Sequence, residues 1–284
     1  MIVVTGATGK LGRLVVEALV KKVPSREIVA AVRSPEKAKD LAARGVELRG
    51  ADYSRPETLA TAFAGAEKVL LVSSSEVGRR VAQHAAAIDA AKRAGVRLLA
   101  YTSILHGEAS KLALAAEHQA TEAALRASGL AWVFLRNGWY VENYTEHLGP
   151  ALANGAFVGS AGAGRIAAAT RADLAEAAVA VLTGPGHERT AYELAGDHPF
   201  TMAELAAEVS RQTGKRIPYQ DLPPEQYKAV LTGAGVPGPY ADLLVDSDLG
   251  IARGELDDAS GDLRRLIGRA TTPLADAVAA ALAR

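Results

Sequence analysis

Three glycines stand three residues apart near the start of the chain, Gly6, Gly9 and Gly12, within the stretch Met1 to Arg13, MIVVTGATGKLGR. An apolar run precedes them and an apolar-periodic segment follows, so they fall where a strand turns into a helix. The first glycine lets the chain turn where a Cβ would clash, the second lets main chain approach an anion, and the third lets the helix pack close to the sheet. Amides in the first turn of such a helix have no partner within it, and together with the positive end of the helix dipole they favour an anion. The chemistry predicted is binding of a dinucleotide pyrophosphate. The spacing is G-x-x-G-x-x-G rather than G-x-G-x-x-G, and its place between strand and helix carries the reading.

Further groups stand at the ends of apolar runs. Arg33 follows EIVAAV (Glu27 to Val32), with Lys37 a turn later. A carboxylate at that position would bind the adenosine ribose hydroxyls, whereas a cation accommodates a 2′-phosphate, so NADPH is expected in preference to NADH. Ser73, Ser74 and Ser75 follow KVLLV (Lys68 to Val72), where they either line a cofactor or cap the next helix. Arg136, Asn137, Gly138, Trp139 and Tyr140 follow AWVFL (Ala131 to Leu135). Trp139, Tyr140 and Tyr144 suit stacking on a flat acceptor or packing of a cleft wall. Asn137 and Asn143 suit orienting a carboxamide or a carbonyl oxygen, or serving as a turn residue and a helix cap. His118 and Glu122 stand four apart, as a candidate proton donor with its supporting carboxylate or as a hydrogen-bonded helix pair.

The elements that position these residues alternate. Strands are expected at residues 2–4, 27–32, 46–48, 68–72, 97–101 and 131–135, and helices at 10–23, 35–44, 56–63, 77–94 and 113–128. Strands apolar on both faces require helices on both sides, so the fold class is α/β, a doubly wound parallel Rossmann-type sheet whose polar strand ends form a cleft. Residues 1–150 are expected to form the NAD(P)-binding domain. Residues 151–284 form a smaller α/β lobe on the substrate side, with some segments returning to the sheet. Within it, strands are expected at 157–158, 166–169, 192–195 and 217–222, and helices at 171–182 and 201–212. Glu204 stands in the capping-box position of the second. Short helices should follow Pro223, and Pro273 should start a last one.

Composition narrows the function. The 284 residues are 49% hydrophobic and 23% charged, with 32 basic and 32 acidic side chains, so the balance offers nothing to nucleic acid or an anionic membrane. The absence of cysteine excludes disulfides, thiolate metal sites and a cysteine nucleophile. The six histidines show no H-x-x-x-H spacing, so no catalytic metal is expected. The first strand begins at once and no apolar run could span a bilayer; no signal peptide or membrane span is expected, and the expected location is the cytoplasm. The oligomeric state is left open.

With these residues in place, the chain resembles the atypical short-chain dehydrogenases of the NmrA-like group from end to end. The likeness rests on VTGATGKLG (Val4 to Gly12), VRSPEKA (Val32 to Ala38), ADY (Ala51 to Tyr53), LLVSSSEVG (Leu70 to Gly78), YTSILH (Tyr101 to His106), LRNGWYVENY (Leu135 to Tyr144), ATRADLA (Ala169 to Ala175) and YELAGD (Tyr192 to Asp197). The stretch Arg136 to Tyr144 points to quinone reductases within the group. The resemblance implies that Gly6, Ala7, Thr8, Gly9, Lys10 and Leu11 bind pyrophosphate, that Arg33 binds the 2′-phosphate, and that Ser73, Ser74 and Ser75 run along NADPH. It also implies that the stretch from Asn137 through Gly138, Trp139 and Tyr140 to Asn143 lies near the nicotinamide and the substrate. One departure matters. Carbonyl-reducing short-chain dehydrogenases use a Tyr-x-x-x-Lys pair as proton donor, and the corresponding helix here offers only His118 and Glu122. A quinone needs no internal acid, so the expected reaction is direct hydride transfer from nicotinamide to quinone, without flavin or metal. The alternatives are an NADP-binding redox sensor without turnover, and a reductase of another flat conjugated acceptor such as a triarylmethane dye or azo compound.

Overall fold

The structure is a computed structural model that describes residues 1–283. Its strands are β1 (Ile2–Thr5), β2 (Ile28–Val32), β3 (Glu47–Gly50), β4 (Lys68–Leu71), β5 (Leu98–Ile104), β6 (Ala131–Asn137), β7 (Phe157–Gly159), β8 (Thr190–Leu194) and β9 (Tyr219–Asp221). The helices of the first half are α1 (Lys10–Leu19), α2 (Lys39–Ala42), α3 (Pro56–Ala62), α4 (Arg80–Arg93) and α5 (Ala115–Ala127). Then come α6 (Glu142–Thr145), α7 (Leu148–Asn154), α8 (Arg171–Thr183), α9 (Met202–Thr213), α10 (Pro224–Gly233), α11 (Gly238–Ala252), α12 (Asp262–Ile267) and α13 (Leu274–Leu282).

Seven strands form one sheet in the order β3-β2-β1-β4-β5-β6-β8, every pair parallel, while β7 and β9 pair separately. Ile2 aligns with Ile28 on one side and Lys68 on the other, so the strand order reverses at β1. A crevice opens at such a reversal because the connections diverge to opposite faces. Successive residues of β1 serve opposite cores. Val4 packs with Val15, Val16 and Leu19 of α1 and Ala177 and Val181 of α8; Val3 packs with Leu59, Phe63, Ala87, Tyr101 and Leu125 from the other face. A third core, with Leu148, Phe157, Phe200, Leu205, Ile251 and Val278, fills the region around β7, α9 and α13.

Several elements differ from expectation. α1 ends at Leu19, a turn before Pro24, with Lys21–Val23 folded back by amide bonds to Ala18 and Leu19. Residues 166–169 form no strand, because their amides bond in turn to Phe200, Leu256 and Trp139 rather than to one neighbour. β5 and β6 run on to Ile104 and Asn137, which pair with each other, so Arg136 and Asn137 belong to the strand rather than to the loop. α11 has 15 residues, longer than the short helices expected after Pro223. The capping box of α9 forms as expected between Thr201 and Glu204. Among the described residues, no helix is long and apolar enough to cross a membrane.

Candidate active site

The β1–α1 corner is closed by backbone contacts that exclude side chains. Gly6 adopts φ +58°, and its carbonyl accepts the Gly9 amide at 2.8 Å. A Cβ on Gly12 would stand 2.4 Å from the Gly6 oxygen, so only glycine lets the helix start this close to the turn. Gly9 is the N-cap of α1 with no side chain capping it. The first helical backbone bond runs from Arg13 to Gly9, leaving the Lys10, Leu11 and Gly12 amides without helical partners, as an anion site requires. Ala7 is wholly buried and faces the core.

A cleft of about 610 Å³ runs from this corner along the carboxyl ends of the central strands, within the size range of small-molecule sites. Of the residues predicted to bind the cofactor, Gly6, Thr8, Gly9, Lys10, Leu11, Arg33, Ser73, Ser74, Ser75 and Tyr140 line it; Ala7, Asn137, Gly138 and Trp139 do not. Lys37 lines the same cleft as Arg33, and the Arg33 side chain is 69% exposed. Two cations at the end of β2, with no carboxylate at the strand end itself, suit a 2′-phosphate.

The serine wall is fixed from behind. Ser74 donates its amide to His84 Nε2 at 3.0 Å and accepts Arg80 Nε at 2.7 Å; Ser73 donates its amide to Thr102 Oγ1 at 2.8 Å. Because His84 Nε2 accepts from an amide, its proton lies on Nδ1, 3.0 Å from Thr121 Oγ1, which in turn donates to the Glu117 carbonyl. Burial, reinforced by the Arg80 charge, pushes the His84 pKa down to about 3. Opposite, Thr5 Oγ1 accepts the Val72 amide at 2.9 Å and lies 2.6 Å from the Tyr53 hydroxyl, fixing the end of β4 to β1.

The helix pair of α5 is corrected by the structure. Glu122 does not support His118: its carboxylate accepts Ser103 Oγ at 2.7 Å, Arg136 Nε at 2.9 Å and Arg136 NH2 at 2.7 Å. His118 instead accepts Arg80 NH1 on Nε2 at 3.2 Å and meets the Tyr101 hydroxyl at 2.7 Å through Nδ1. Burial, with the nearby Arg80 charge, pushes its pKa down to about 3, so at neutral pH it is a neutral ring with no acidic proton to give. It is also 8% exposed and does not line the cleft.

The aromatic stretch divides. Tyr140 lines the cleft with the Arg171 guanidinium 4.8 Å from its ring centroid. Trp139 and Tyr144 pack into the third core, Tyr144 edge-on to Phe200 at 6.2 Å. Gly138 donates its amide to Leu194 at 2.9 Å, Asn137 is buried at the end of β6, and Asn143 Oδ1 accepts Arg171 NH2 at 3.1 Å. Among the cleft residues that sequence reasoning missed are Tyr53, Glu76, Arg80, Gln83 and Arg171. For Arg171 a signal existed, since Thr170 is a threonine N-cap that accepts the Asp173 amide at 3.1 Å and so places Arg171 in the first helical turn, at the sheet edge. Among the described residues, no three His, Asp or Glu side chains converge as metal ligands would.

The cradle that glycine alone permits, the unpaired amides and the adjoining cations together fit a phosphorylated dinucleotide. Comparison with known proteins agrees. Residues 6–185 match the model of a family described as NAD(P)H-binding. The chain is 51% identical over 278 residues, 98% of its own length and 97% of the relative's, to quinone oxidoreductase 2 of Escherichia coli. It superposes with TM-score 0.97 on the crystal structure of that NADPH-dependent enzyme with NADPH, covering 99% of this chain and all of the other. The triphenylmethane reductase of Citrobacter sp. with NADP(H) follows at TM-score 0.95 and 43% identity, covering 99% of this chain and all of the other. The chain therefore belongs to the NAD(P)H-binding family, and its motifs resemble the NmrA-like group.

Proposed function

We propose that the protein is an NADPH-dependent oxidoreductase that reduces quinones. The observation carrying this reading is a single cleft lined by the glycine corner, by Arg33 and Lys37 and by the Tyr140 ring, groups suited in turn to a diphosphate, a 2′-phosphate and a nicotinamide, in a chain 51% identical to a quinone oxidoreductase. The amides of Lys10 and Leu11 would hold the diphosphate, Arg33 and Lys37 the 2′-phosphate, and Ser73 to Ser75 the length of the carrier. The Asn137 to Asn143 stretch, through Tyr140, would meet nicotinamide and substrate. In this arrangement residues 1–150 hold the carrier, residues 151–284 build the substrate side, and the setting is the cytoplasm, where NADPH is supplied.

When bound, NADPH supplies the hydride that converts the quinone to its hydroquinone, with one further proton taken up. The chain's own contribution is placement of the carrier against the acceptor. With His118 neutral and buried, that proton comes from solvent rather than from a side-chain donor. Mixing purified protein with NADPH and a simple benzoquinone should deplete the nicotinamide absorbance well above the uncatalysed rate; no excess loss would leave a dinucleotide-binding protein without this activity. The likeness to the Citrobacter reductase supports triarylmethane dyes as a second acceptor class. An acceptor panel ranked by kcat/KM should place quinones first.

A further inference from the structure

Of the cations that line the cleft, Arg33, Lys10 and Arg171 are each held by a carboxylate from Glu76 or Glu146. Arg33 NH1 lies 3.4 Å from Glu76 Oε1. Lys10 Nζ lies 2.5 Å from Glu146 Oε2, and Arg171 NH1 lies 2.9 Å from Glu146 Oε1, so one carboxylate links the first residue of α1 to the first residue of α8. Neither glutamate is loosely placed. Glu76 also accepts Gln83 Nε2 at 3.0 Å, from a side chain that is itself buried, and lies 3.3 Å from Arg79. Glu146 is anchored through Arg171, which stacks over Tyr140 and bonds to Asn143. Burial acts to raise the Glu146 pKa, but Lys10 and Arg171 outweigh it and hold the group below the usual carboxylate range, so it is charged at neutral pH.

The Lys10–Glu146 and Arg33–Glu76 pairs do little for folding. The Lys10 and Arg33 side chains are 66% and 69% exposed, and ion pairs in such solvent contribute almost nothing to stability. Their position explains them better: the partner of each cation is an anion, and so is the ligand. We propose that Glu76 and Glu146 are placeholder anions, Glu76 for the 2′-phosphate and Glu146 for the diphosphate. Each holds its cations extended into the cleft, and each must give up its share of them when the carrier binds. The carboxylate then stands beside the arriving phosphate as a like charge, which lowers affinity and helps the oxidised carrier leave. This inference rests on the NADPH reading above and adds two residues that set how tightly, and with what selectivity, that carrier is held.

The two glutamates face different phosphates, so their removal has different signatures. Glu76→Gln should tighten NADPH about three- to tenfold, the size of one like charge removed at close range in screened surroundings, and leave NADH unchanged. The preference for NADPH over NADH rises accordingly. Glu146→Gln should tighten both carriers by a similar factor, because both contain the diphosphate, and leave the preference as it was. Dissociation constants from nicotinamide fluorescence, with Glu76→Ala and Glu146→Ala as second variants and melting temperatures as a control on folding, measure all of this. Unchanged or weaker binding in the glutamine and alanine variants would overturn the proposal, as would an equal response of NADPH and NADH to Glu76→Gln. Failure of the unaltered protein to bind NADPH would instead overturn the functional reading, so the two failures are distinguishable.

Discussion

On the proposed reading, the charge of Arg33 at the end of β2 decides between two carriers that differ by one phosphate. Arg33→Asp would remove the cation proposed to face the 2′-phosphate and add a repulsion; NADPH should weaken by more than tenfold while NADH changes little, measured as the ratio of the two dissociation constants. Equal losses would show that Arg33 faces only solvent. Proton chemistry is decided at the same scale. His118→Ala should leave quinone turnover within about tenfold, roughly 1.4 kcal/mol in barrier, because a neutral buried ring donates nothing. A loss of several hundredfold in kcat would make it the acid after all. The two buried histidines carry a cost instead. Both His84 and His118 are held near pKa 3 in the folded chain, against 6.5 ordinarily. Between pH 6.5 and 3 the unfolded chain binds protons that the native chain refuses. Stability therefore falls as pH falls, by about 1.4 kcal/mol per unit for each histidine once below its unfolded pKa. Urea denaturation at pH 7 and pH 5 should show a smaller drop for the variant with both replaced by glutamine.

Elements meet at the site through contacts that tolerate no added atoms. Gly12→Ala puts a methyl 2.4 Å from the Gly6 carbonyl, so α1 must shift from the corner. About 1–3 kcal/mol of stability should be lost, and NADPH binding should weaken more than tenfold; an unchanged melting temperature and affinity would contradict the close approach. Farther along the sheet edge, Arg136 on β6 joins Glu122 of α5 to Glu193 of β8, with NH1 2.8 Å from Glu193. Gly107 makes room for it, since a Cβ there would overlap the guanidinium. This ion network, with Ser103 of β5 also donating to Glu122, ties the ends of β5, β6 and β8 together just before Tyr140, which lines the cleft. Arg136→Met should cost about 3–5 kcal/mol, because it leaves the fully buried Glu122 charge without its main partner. Chemical denaturation checks it.

The whole molecule closes the cleft from both halves of the chain. The glycine corner and serine wall come from the first half, whereas Arg171 arrives with α8, which packs beside α1 on one face of the sheet. A carrier touching both halves should stabilise the folded chain as a unit. At one hundred times its dissociation constant, NADPH should add about 2.7 kcal/mol and raise the melting temperature by several degrees. NADH at the same concentration should raise it less. A melt unaffected by NADPH would argue against binding altogether.

The glycine corner, the cation at Arg33 and the run of strand–helix units were legible in the sequence because each is local: a conformation only glycine allows, a charge at a strand end, a period of apolar residues. The element ends were less legible. Nothing local distinguishes Arg136 and Asn137 as strand residues, since their pairing depends on Ser103, Glu122 and Glu193 brought from far along the chain. Spacing on a helix set His118 beside Glu122, but the tertiary structure gave each a different and stronger partner, Arg80 for one and Arg136 for the other. The sequence by itself determined that the chain builds an open parallel sheet with an anion-binding corner, because those consequences follow from neighbours within one turn or one strand. Which aromatic rings reach the cleft, which histidines are neutral and which glutamates hold the cations were decided only by packing, because burial and charge pairing depend on groups 38 residues apart for Arg80 and His118, 43 for Arg33 and Glu76 and 136 for Lys10 and Glu146.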